Sequence, residues 1–320
     1  MDQIRTLQEK VGPSIFSVLG PTFKIYSPLL VANKERILAI PPKTESYGSH
    51  PRQALDVYLA SDSSKTTTPI LVFFYGGGFT TGEKITQTID DGLLYHNLGT
   101  FFASHGVTTI IPDYRLVNVA SKGHDAVFPS GGDDVSLVLK WVAKTFAGEG
   151  GKRDVFIMGN SAGGVHISTF LFESQYLEQR KSYIGGDAGI TLKGAIELSA
   201  PFHFGQSVDE NAEMLAGYFG TVADAGKHCP YVLLKEMGQR GESREDVAVP
   251  KILTLVGEWE PEQIPRGSDQ FVELWKKTWG EGIESGVIAG HNHISPPCGL
   301  MAGEPAGEKW GEDVVKWIRG

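Results

Sequence analysis

Residues 154–164 read DVFIMGNSAGG, an apolar run that leads into a G-x-S-x-G turn. The apolar part is typical of a short buried strand, and residues 162–173 are typical of a buried helix. A serine at such a corner is held on a sharp turn with its hydroxyl exposed above the sheet. The strand and helix backbones approach each other closely there, so positions 159 and 163 require glycine. The stretch therefore predicts a strand–turn–helix unit that presents the Ser161 hydroxyl.

The motif by itself leaves two interpretations of Ser161 open. The chain has 40 glycines among 320 residues, and at that frequency a G-x-S-x-G match arises readily by chance. In one interpretation Ser161 only caps the helix that follows it. In the other it is a nucleophile. Segments elsewhere in the chain have to distinguish the two.

A glycine run lies upstream, directly after a second apolar stretch. Residues 69–74 (PILVFF) predict another buried strand, and residues 75–79 (YGGGF) follow it. Glycines leave backbone N–H groups unshielded, and the oxyanion of acyl transfer needs such donors in fixed positions. A loop after the third strand has this role beside a G-x-S-x-G elbow. A flexible turn is the alternative, but the place of the run in the chain favours an oxyanion hole.

Two later segments supply a carboxylate and an imidazole. The strand predicted at residues 250–257 is followed by Glu258 and Glu260, and a short apolar strand is followed by His291 and His293. Serine, carboxylate, histidine is the chain order that accompanies this elbow. Each group falls after the C-terminal end of a predicted strand, where open α/β sheets bind their ligands. The residues alone leave two glutamates and two histidines as candidates.

The alternation of strands and helices favours one doubly wound α/β domain with a mostly parallel sheet. Four stretches carry a resemblance to a known family: residues 52–59 (RQALDVYL), 112–116 (PDYRL), 128–134 (FPSGGDD) and 159–164 (GNSAGG). On these stretches the chain resembles the hormone-sensitive-lipase-like branch of the α/β-hydrolases, and more closely its fungal esterase-type members. The resemblance implies that the domain spans residues 1–320 and that a helical cap is formed by residues from about 1 to 45 and from about 201 to 249.

The resemblance also assigns a catalytic triad. It implies that Ser161 is the nucleophile, Glu260 the acid and His293 the base. The family places the histidine three residues after a glycine, which selects His293 over His291. The family's acid is usually aspartate, and glutamate is an accepted alternative in this fold. Glu258 stays a minor candidate for the acid.

The oxyanion hole is assigned in the same way. The resemblance implies that the N–H groups of Gly77, Gly78 and Ala162 receive the oxyanion. The family motif opens with a histidine that braces this loop, and Tyr75 stands at that position here. A tyrosine hydroxyl can brace the loop as well, with a different donor geometry.

These segments predict a serine hydrolase that cleaves a carboxylic ester through an acyl-enzyme, with no cofactor and no metal. The expected partner is a small-molecule ester or amide substrate. An amidase such as an aryl-formamidase would use the same triad, and a lyase or cyclase of specialised metabolism is a further alternative. A non-catalytic small-molecule receptor is disfavoured because His293 is present, whereas some proteins of this fold bind a hormone after losing the triad histidine.

The composition and net charge exclude several other classes of protein. The net charge is −9 and the pI is near 5.5, whereas a nucleic-acid groove requires a basic face. Cys229 and Cys298 lie far apart in sequence and predict two free thiols. The N-terminal residues lack the apolar region of a signal peptide, and no apolar run approaches membrane-spanning length. We therefore expect a cytoplasmic protein without a membrane span, and the resemblance implies a homodimer.

Overall fold

One eight-stranded sheet organises the part of the chain that the structure describes. The structure is a computed structural model and describes residues 1–86, 92–117, 125–147, 152–186, 188–204 and 208–320. The strands lie in the order β1-β2-β4-β3-β5-β6-β7-β8. Pairing is antiparallel from β1 to β2 and from β2 to β4, and parallel across the rest of the sheet. The predicted mostly parallel sheet is confirmed. The strands are β1 (Lys43–Ser46), β2 (Ala54–Tyr58), β3 (Ile70–Phe74), β4 (Thr108–Pro112), β5 (Arg153–Asn160), β6 (Ile190–Leu198), β7 (Lys251–Trp259) and β8 (Ile283–Asn292).

Helices flank this sheet. They are α1 (Asp2–Val11), α2 (Ile15–Ala32), α3 (Lys34–Ile37), α4 (Leu93–Ser104), α5 (Ser130–Phe146), α6 (Ala162–Phe172), α7 (Leu177–Ile184), α8 (Val208–Phe219), α9 (Val222–Lys227), α10 (Pro230–Gln239), α11 (Gln263–Trp279), α12 (Ser295–Gly299) and α13 (Pro305–Arg319). The strand-to-helix order of β5 and α6 is the one predicted around Ser161.

The central strands are buried along their whole length. All five residues of β3 and all five of β4 are buried, as are the last six residues of β5. A parallel strand covered on both faces has no polar side, which is why these segments read as continuous apolar runs. The result is a rigid sheet whose carboxyl edge can hold side chains in fixed positions.

The N-terminal helix α2 corrects one expectation. It is 18 residues long with a mean hydropathy of 1.4, so its length and composition would allow it to cross a membrane. The prediction that no apolar run approaches this length was wrong, because the helix continues through Pro21, Lys24 and Pro28, which interrupt the apolar run in the sequence. Helices packed in the core of a protein pass the same test. Here Val18, Thr22, Tyr26 and Leu30, spaced four apart, form its buried face.

Three helices, α8, α9 and α10, fall within the predicted cap range of residues from about 201 to 249. We call α8, α9 and α10 together the cap segment, residues 208–239. The cap segment shares an apolar cluster with the start of α6, separate from the main core. We call it the cap cluster, and its buried members are Phe79, Val117, Ala126, Ala162, Val165, Phe204, Leu215, Tyr218, Phe219, Ala225 and Cys229. The predicted cap range also includes residues 205–207, which lie outside the described residues.

The N-terminal helices lie near β8 and the residues that follow it. Helix α1 packs against α2 and β8, and α2 also packs against α4 and α12.

Both cysteines are buried and free, as predicted.

Candidate active site

Ser161 occupies a sharp turn between β5 and α6. Its backbone has φ 52° and ψ −119°, which is strained for a residue other than glycine. The Ser161 N–H donates to the Leu198 carbonyl at 2.9 Å, which ties the turn to β6. An ideal Cβ on Gly163 would lie 2.1 Å from the Phe74 carbonyl oxygen, and one on Gly159 would lie 2.5 Å from the backbone of Gly163. The approach of strand and helix inferred from the sequence therefore requires Gly159, whereas Gly163 is required by the backbone at the end of β3.

The structure brings Ser161, His293 and Glu260 into one hydrogen-bonded relay. His293 Nε2 lies 2.9 Å from Ser161 Oγ, and His293 Nδ1 lies 2.7 Å from Glu260 Oε2. The His293 and Glu260 side chains are 3% and 0% exposed, so their contact is shielded from water. The Gly257 N–H lies 3.4 Å from Glu260 Oε1. The three groups follow β5, β7 and β8, which end at the same edge of the sheet.

An irregularity in β8 decides which histidine meets Glu260. Gly257 pairs with Ile288, whereas Trp259 pairs with Asn292, so β8 accommodates two extra residues between these pairs. Without that register shift Glu260 would lie beside residue 291. With it, Trp259 pairs with Asn292, the last residue of β8, and the residues that follow the two strands, Glu260 and His293, come into contact. Bulges of this kind re-aim side chains at functional edges of sheets.

The rival histidine and the rival glutamate are held elsewhere. His291 is fully buried, with Nδ1 2.9 Å from Ser295 Oγ and Nε2 3.2 Å from the Gly307 carbonyl oxygen. Burial lowers its pKa to about 4. Glu258 is exposed and accepts the Gly290 N–H at 2.6 Å, within the irregular part of β8. The structure brings neither to Ser161.

Asn292 anchors the histidine loop, a contribution that the sequence analysis missed. Its side-chain oxygen accepts the N–H groups of Ile294 and Ser295, both at 3.0 Å. Its amide nitrogen donates to Thr22 Oγ1 of α2 at 2.9 Å. An asparagine that bonds backbone groups two and three residues ahead forms a recognisable turn, so a local signal existed. No local sequence signal indicated the bond to Thr22, which lies 270 positions away.

The glycine loop lies against the nucleophile. An ideal Cβ on Gly76 would lie 3.1 Å from Ser161 Cβ. The Gly77 carbonyl accepts the N–H of Thr80 at 3.2 Å and both the N–H and the hydroxyl of Thr81 at 3.0 Å. Because C=O and N–H point in opposite directions across a trans peptide, this directs the Gly78 N–H away from Thr81.

The N–H groups expected to receive an oxyanion are free of competing acceptors. Within the described ranges, those of Gly77, Gly78 and Ala162 donate to no backbone or side-chain acceptor. Unsatisfied donors at the start of a helix and in a glycine loop are ready to bind a negative oxygen.

The cap segment covers this loop. An ideal Cβ on Gly78 would lie 2.6 Å from Met214 Sδ, so the thioether of α8 rests on the loop. Tyr218 stacks on Phe79 with ring centroids 4.6 Å apart and an interplanar angle of 8°. Phe79 itself adopts φ 65°. The surface above the glycine loop is therefore apolar and is built largely by α8.

A cleft between α10 and α11 lies apart from these residues, and none of the described residues forms a metal cluster. Among the described residues no group of three or more His, Cys, Asp or Glu side chains is placed to hold a metal. A cleft of about 790 Å³ opens between α10 and α11 and includes Arg244 and Trp279 in its lining, but none of the triad or glycine-loop residues.

The sheet order, the elbow and the relay at the carboxyl edge define an α/β-hydrolase fold, and solved structures agree. Esterase B from Lactobacillus rhamnosis aligns with a TM-score of 0.64 and 15% identity over 94% of each chain. A fungal esterase from Rhizomucor miehei aligns with a TM-score of 0.61 and 16% identity over 92% of this chain and 88% of its own. At these identities the likeness establishes the fold.

The sequence comparison adds the family. The BD-FAE family model matches residues 55–214, half of the chain, and the protein belongs to this family of esterase-type α/β-hydrolases. A probable isoprenylcysteine alpha-carbonyl methylesterase of Oryza sativa subsp. japonica is 25% identical over 66% of this chain and 48% of its own length. A gibberellin receptor of Arabidopsis thaliana is 26% identical over 69% of this chain and 57% of its own length. The chain thus spans about half the length of such relatives.

Proposed function

We propose that this protein is a serine carboxylesterase in which Ser161, His293 and Glu260 form the catalytic triad. The observation that carries the proposal is the unbroken relay of 2.9 Å and 2.7 Å from the serine hydroxyl through the imidazole to a buried carboxylate. A serine that merely capped a helix would need no such partners, and the side chain of Ser161 makes no cap hydrogen bond to α6.

The geometry supports acyl transfer in two steps. His293 Nε2 takes the proton of Ser161 as Oγ attacks the ester carbonyl carbon, and Glu260 fixes the imidazole tautomer and stabilises the imidazolium. The imidazolium then protonates the departing alcohol, which leaves an acyl group on Ser161. Water, activated by the same imidazole, attacks this acyl-enzyme and releases the acid.

The oxyanion formed in both steps would be received by the N–H groups of Gly77, Gly78 and Ala162. Their freedom from other acceptors supports this role. In comparable sites the loss of one donor costs roughly 3–4 kcal/mol of transition-state stabilisation. Since these donors are backbone groups in the glycine loop and at a helix start, they need no rearrangement when the charge develops.

The substrate that the site suits best is a small ester with an apolar acyl group. The cap cluster and Met214 surround the glycine loop with apolar side chains. Relatives named as a methylesterase and as esterases agree with an ester as substrate. We include an activated amide as a second substrate class, because the triad attacks either carbonyl. The cytoplasmic location and the homodimer belong to the proposal as well.

One relative is a receptor, and the relay argues against that role here. A binding protein needs no imidazole within hydrogen-bond distance of the serine, whereas His293 is in contact with both partners.

Covalent labelling and turnover test the proposal together. The purified chain is treated with a fluorophosphonate probe and assayed with p-nitrophenyl esters from acetate to dodecanoate and with an N-formyl aryl amine. We expect one label on Ser161, ester hydrolysis, and loss of both in Ser161→Ala. The matched control is Ser104→Ala, an exposed serine at the end of α4, which should keep both activities. A folded wild-type protein that neither takes the label nor cleaves any ester would overturn the proposal.

A further inference from the structure

Tyr75, the first residue of the glycine loop, carries a buried hydroxyl with two polar partners. The side chain is completely buried. Its hydroxyl accepts a hydrogen bond from Arg52 Nη2 at 2.8 Å and donates one to Asp113 Oδ1 at 2.7 Å. The phenol therefore bridges a guanidinium and a carboxylate that lie 3.6 Å apart at their nearest atoms.

The same two partners also hold the far end of the loop. Arg52 Nη2 donates to the Gly82 carbonyl at 2.8 Å, and Asp113 Oδ1 accepts the Lys84 N–H at 2.6 Å. Arg52 and Asp113 therefore hold both ends of residues 75–84, one end through Tyr75 and the other through Gly82 and Lys84. The donors of the proposed oxyanion hole, Gly77 and Gly78, lie inside this closed segment.

The Tyr75 ring is locked as firmly as its hydroxyl. It stacks on Tyr114 at 4.7 Å and on Tyr95 at 5.5 Å between ring centroids. An ideal Cβ on Gly82 would lie 2.6 Å from the Tyr75 ring, so the loop closes directly against it. The Tyr114 hydroxyl donates to the Tyr75 carbonyl at 2.8 Å, which fixes the backbone at the start of the loop.

We propose that Tyr75, together with Arg52 and Asp113, is a brace that positions the N–H groups of Gly77 and Gly78 for the oxyanion. The inference rests on the proposed esterase function. Tyr75 touches no substrate atom and is a positioning residue. A donor contributes fully to catalysis only when its supporting residues hold it within about 0.5 Å of the productive geometry. Loosening the brace therefore weakens binding of the transition state far more than binding of the ester.

The protonation of the bridge fits this role. Burial raises the pKa of Tyr75 well above its ordinary value, and the nearby Asp113 raises it further while Arg52 opposes the rise. The phenol therefore keeps its proton and remains a donor to Asp113. Burial also raises the pKa of Asp113, against the hydrogen bonds from Tyr75 and Lys84 and the charge of Arg52.

The test compares Tyr75→Phe with Tyr58→Phe. Tyr58 is equally buried in β2, and its hydroxyl has no hydrogen-bond partner among the described residues, so it controls for loss of a buried phenol oxygen. For each variant, kcat and KM are measured with a short-chain ester. The inhibition constant of a trifluoromethyl ketone is measured in parallel, because Ser161 adds to the ketone to form an anionic adduct. Hydrogen exchange of residues 76–84 is followed by mass spectrometry.

We expect Tyr75→Phe to lower kcat roughly 10- to 100-fold with KM changed less than about threefold. The ketone should bind weaker by the same factor as kcat/KM falls, and residues 76–84 should exchange faster. Tyr58→Phe should match the wild type in all four measurements. Arg52→Lys keeps the charge but loses the fork in which Nη2 reaches Tyr75 and Gly82 while Nε donates to the Tyr114 carbonyl. It should show the same pattern and serves if Tyr75→Phe does not fold.

Unchanged kcat, ketone affinity and loop exchange in folded Tyr75→Phe or Arg52→Lys would refute the brace. A wild-type protein with no esterase activity and no labelling would instead refute the proposed function. Even then, unchanged exchange of residues 76–84 in both variants would refute the brace, because that measurement does not depend on catalysis.

Discussion

Glu258 and Glu260 are separated by one residue and have opposite surroundings. Glu258 lies within β7, is exposed and accepts the Gly290 N–H, whereas Glu260 follows the strand and reaches His293 in a buried position. The sequence offered both as carboxylates at a strand end. What separated them is the register of β8, which places His293 and not His291 beside residue 260.

The two glutamates give a matched pair of variants. We expect Glu260→Gln to lower kcat on the order of 10³- to 10⁴-fold, because the amide cannot stabilise the imidazolium and favours the wrong tautomer. Glu258→Gln keeps an oxygen that can accept the Gly290 N–H and should stay within about twofold of the wild type. The measurement is kcat with a short-chain ester, alongside thermal unfolding of each variant. Equal losses in both variants would remove Glu260 from the triad.

At the scale of elements, α8 is the helix whose side chains lie on the glycine loop. The resemblance implied a cap over residues from about 201 to 249, and the structure forms α8 over Val208–Phe219 within that range. The structure buries Leu215, Tyr218 and Phe219 in the cap cluster and rests Met214 on Gly78.

Met214 should therefore limit the size of the acyl group. We expect Met214→Ala to raise kcat/KM for octanoyl over butanoyl esters roughly tenfold, since one or a few methylenes of pocket space are worth about 1–3 kcal/mol. Gly217→Ala on the same helix is the control. Its added methyl group would have its nearest contact at 3.4 Å, with Val117 Cγ1, and should leave the preference unchanged. An unaltered chain-length preference in Met214→Ala would show that the acyl group lies elsewhere.

At the scale of the whole molecule, folding buries ionisable groups that the sequence does not distinguish from exposed ones. Burial lowers the pKa of His166 from 6.5 to about 3, with Arg115 adding to the effect, and burial lowers that of His291 to about 4. Glu197, buried on β6, has a pKa raised well above its ordinary value by burial. Its neutral form stabilises the fold at low pH, a contribution that is lost as the pH rises above about 4.5.

The two histidines act in the opposite direction to Glu197. In the unfolded chain both histidines bind a proton as the pH falls below 6.5. In the folded protein, buried His166 and His291 stay neutral until the pH approaches 3 to 4. Because the unfolded state binds more protons in this range, the free energy of unfolding decreases as the pH falls. Between pH 7 and pH 5 each histidine should cost on the order of 2 kcal/mol of unfolding free energy.

His166→Leu isolates one of these contributions. The variant should lose about 2 kcal/mol less unfolding free energy than the wild type between pH 7 and pH 5, while its His291 still titrates. Chemical denaturation at pH 7, 6 and 5 measures the difference, and Glu197 acts equally in both proteins. A variant with the same pH dependence as the wild type would contradict the burial of a neutral His166.

The sequence by itself determined the elements and the order of the chemistry. Apolar runs marked β3, β5 and β7, and Gly159 was required by a close approach of strand and helix. The structure reproduces this approach, since an ideal Cβ on Gly159 would lie 2.5 Å from the Gly163 backbone. These features are local, so the residue pattern specifies them. It also supplied Ser161, Glu260 and His293 as candidates in the correct chain order.

Only the tertiary structure decided which groups meet. Three features join residues that are far apart in the chain. They are the register shift in β8, the contact of the Met214 thioether with Gly78, and the hydrogen-bonded bridge from Arg52 through Tyr75 to Asp113. The continuation of α2 through its two prolines was also misread from the sequence. The physical reason is common to these cases: such contacts depend on how the packed elements are positioned in three dimensions, and no periodicity along the chain encodes that.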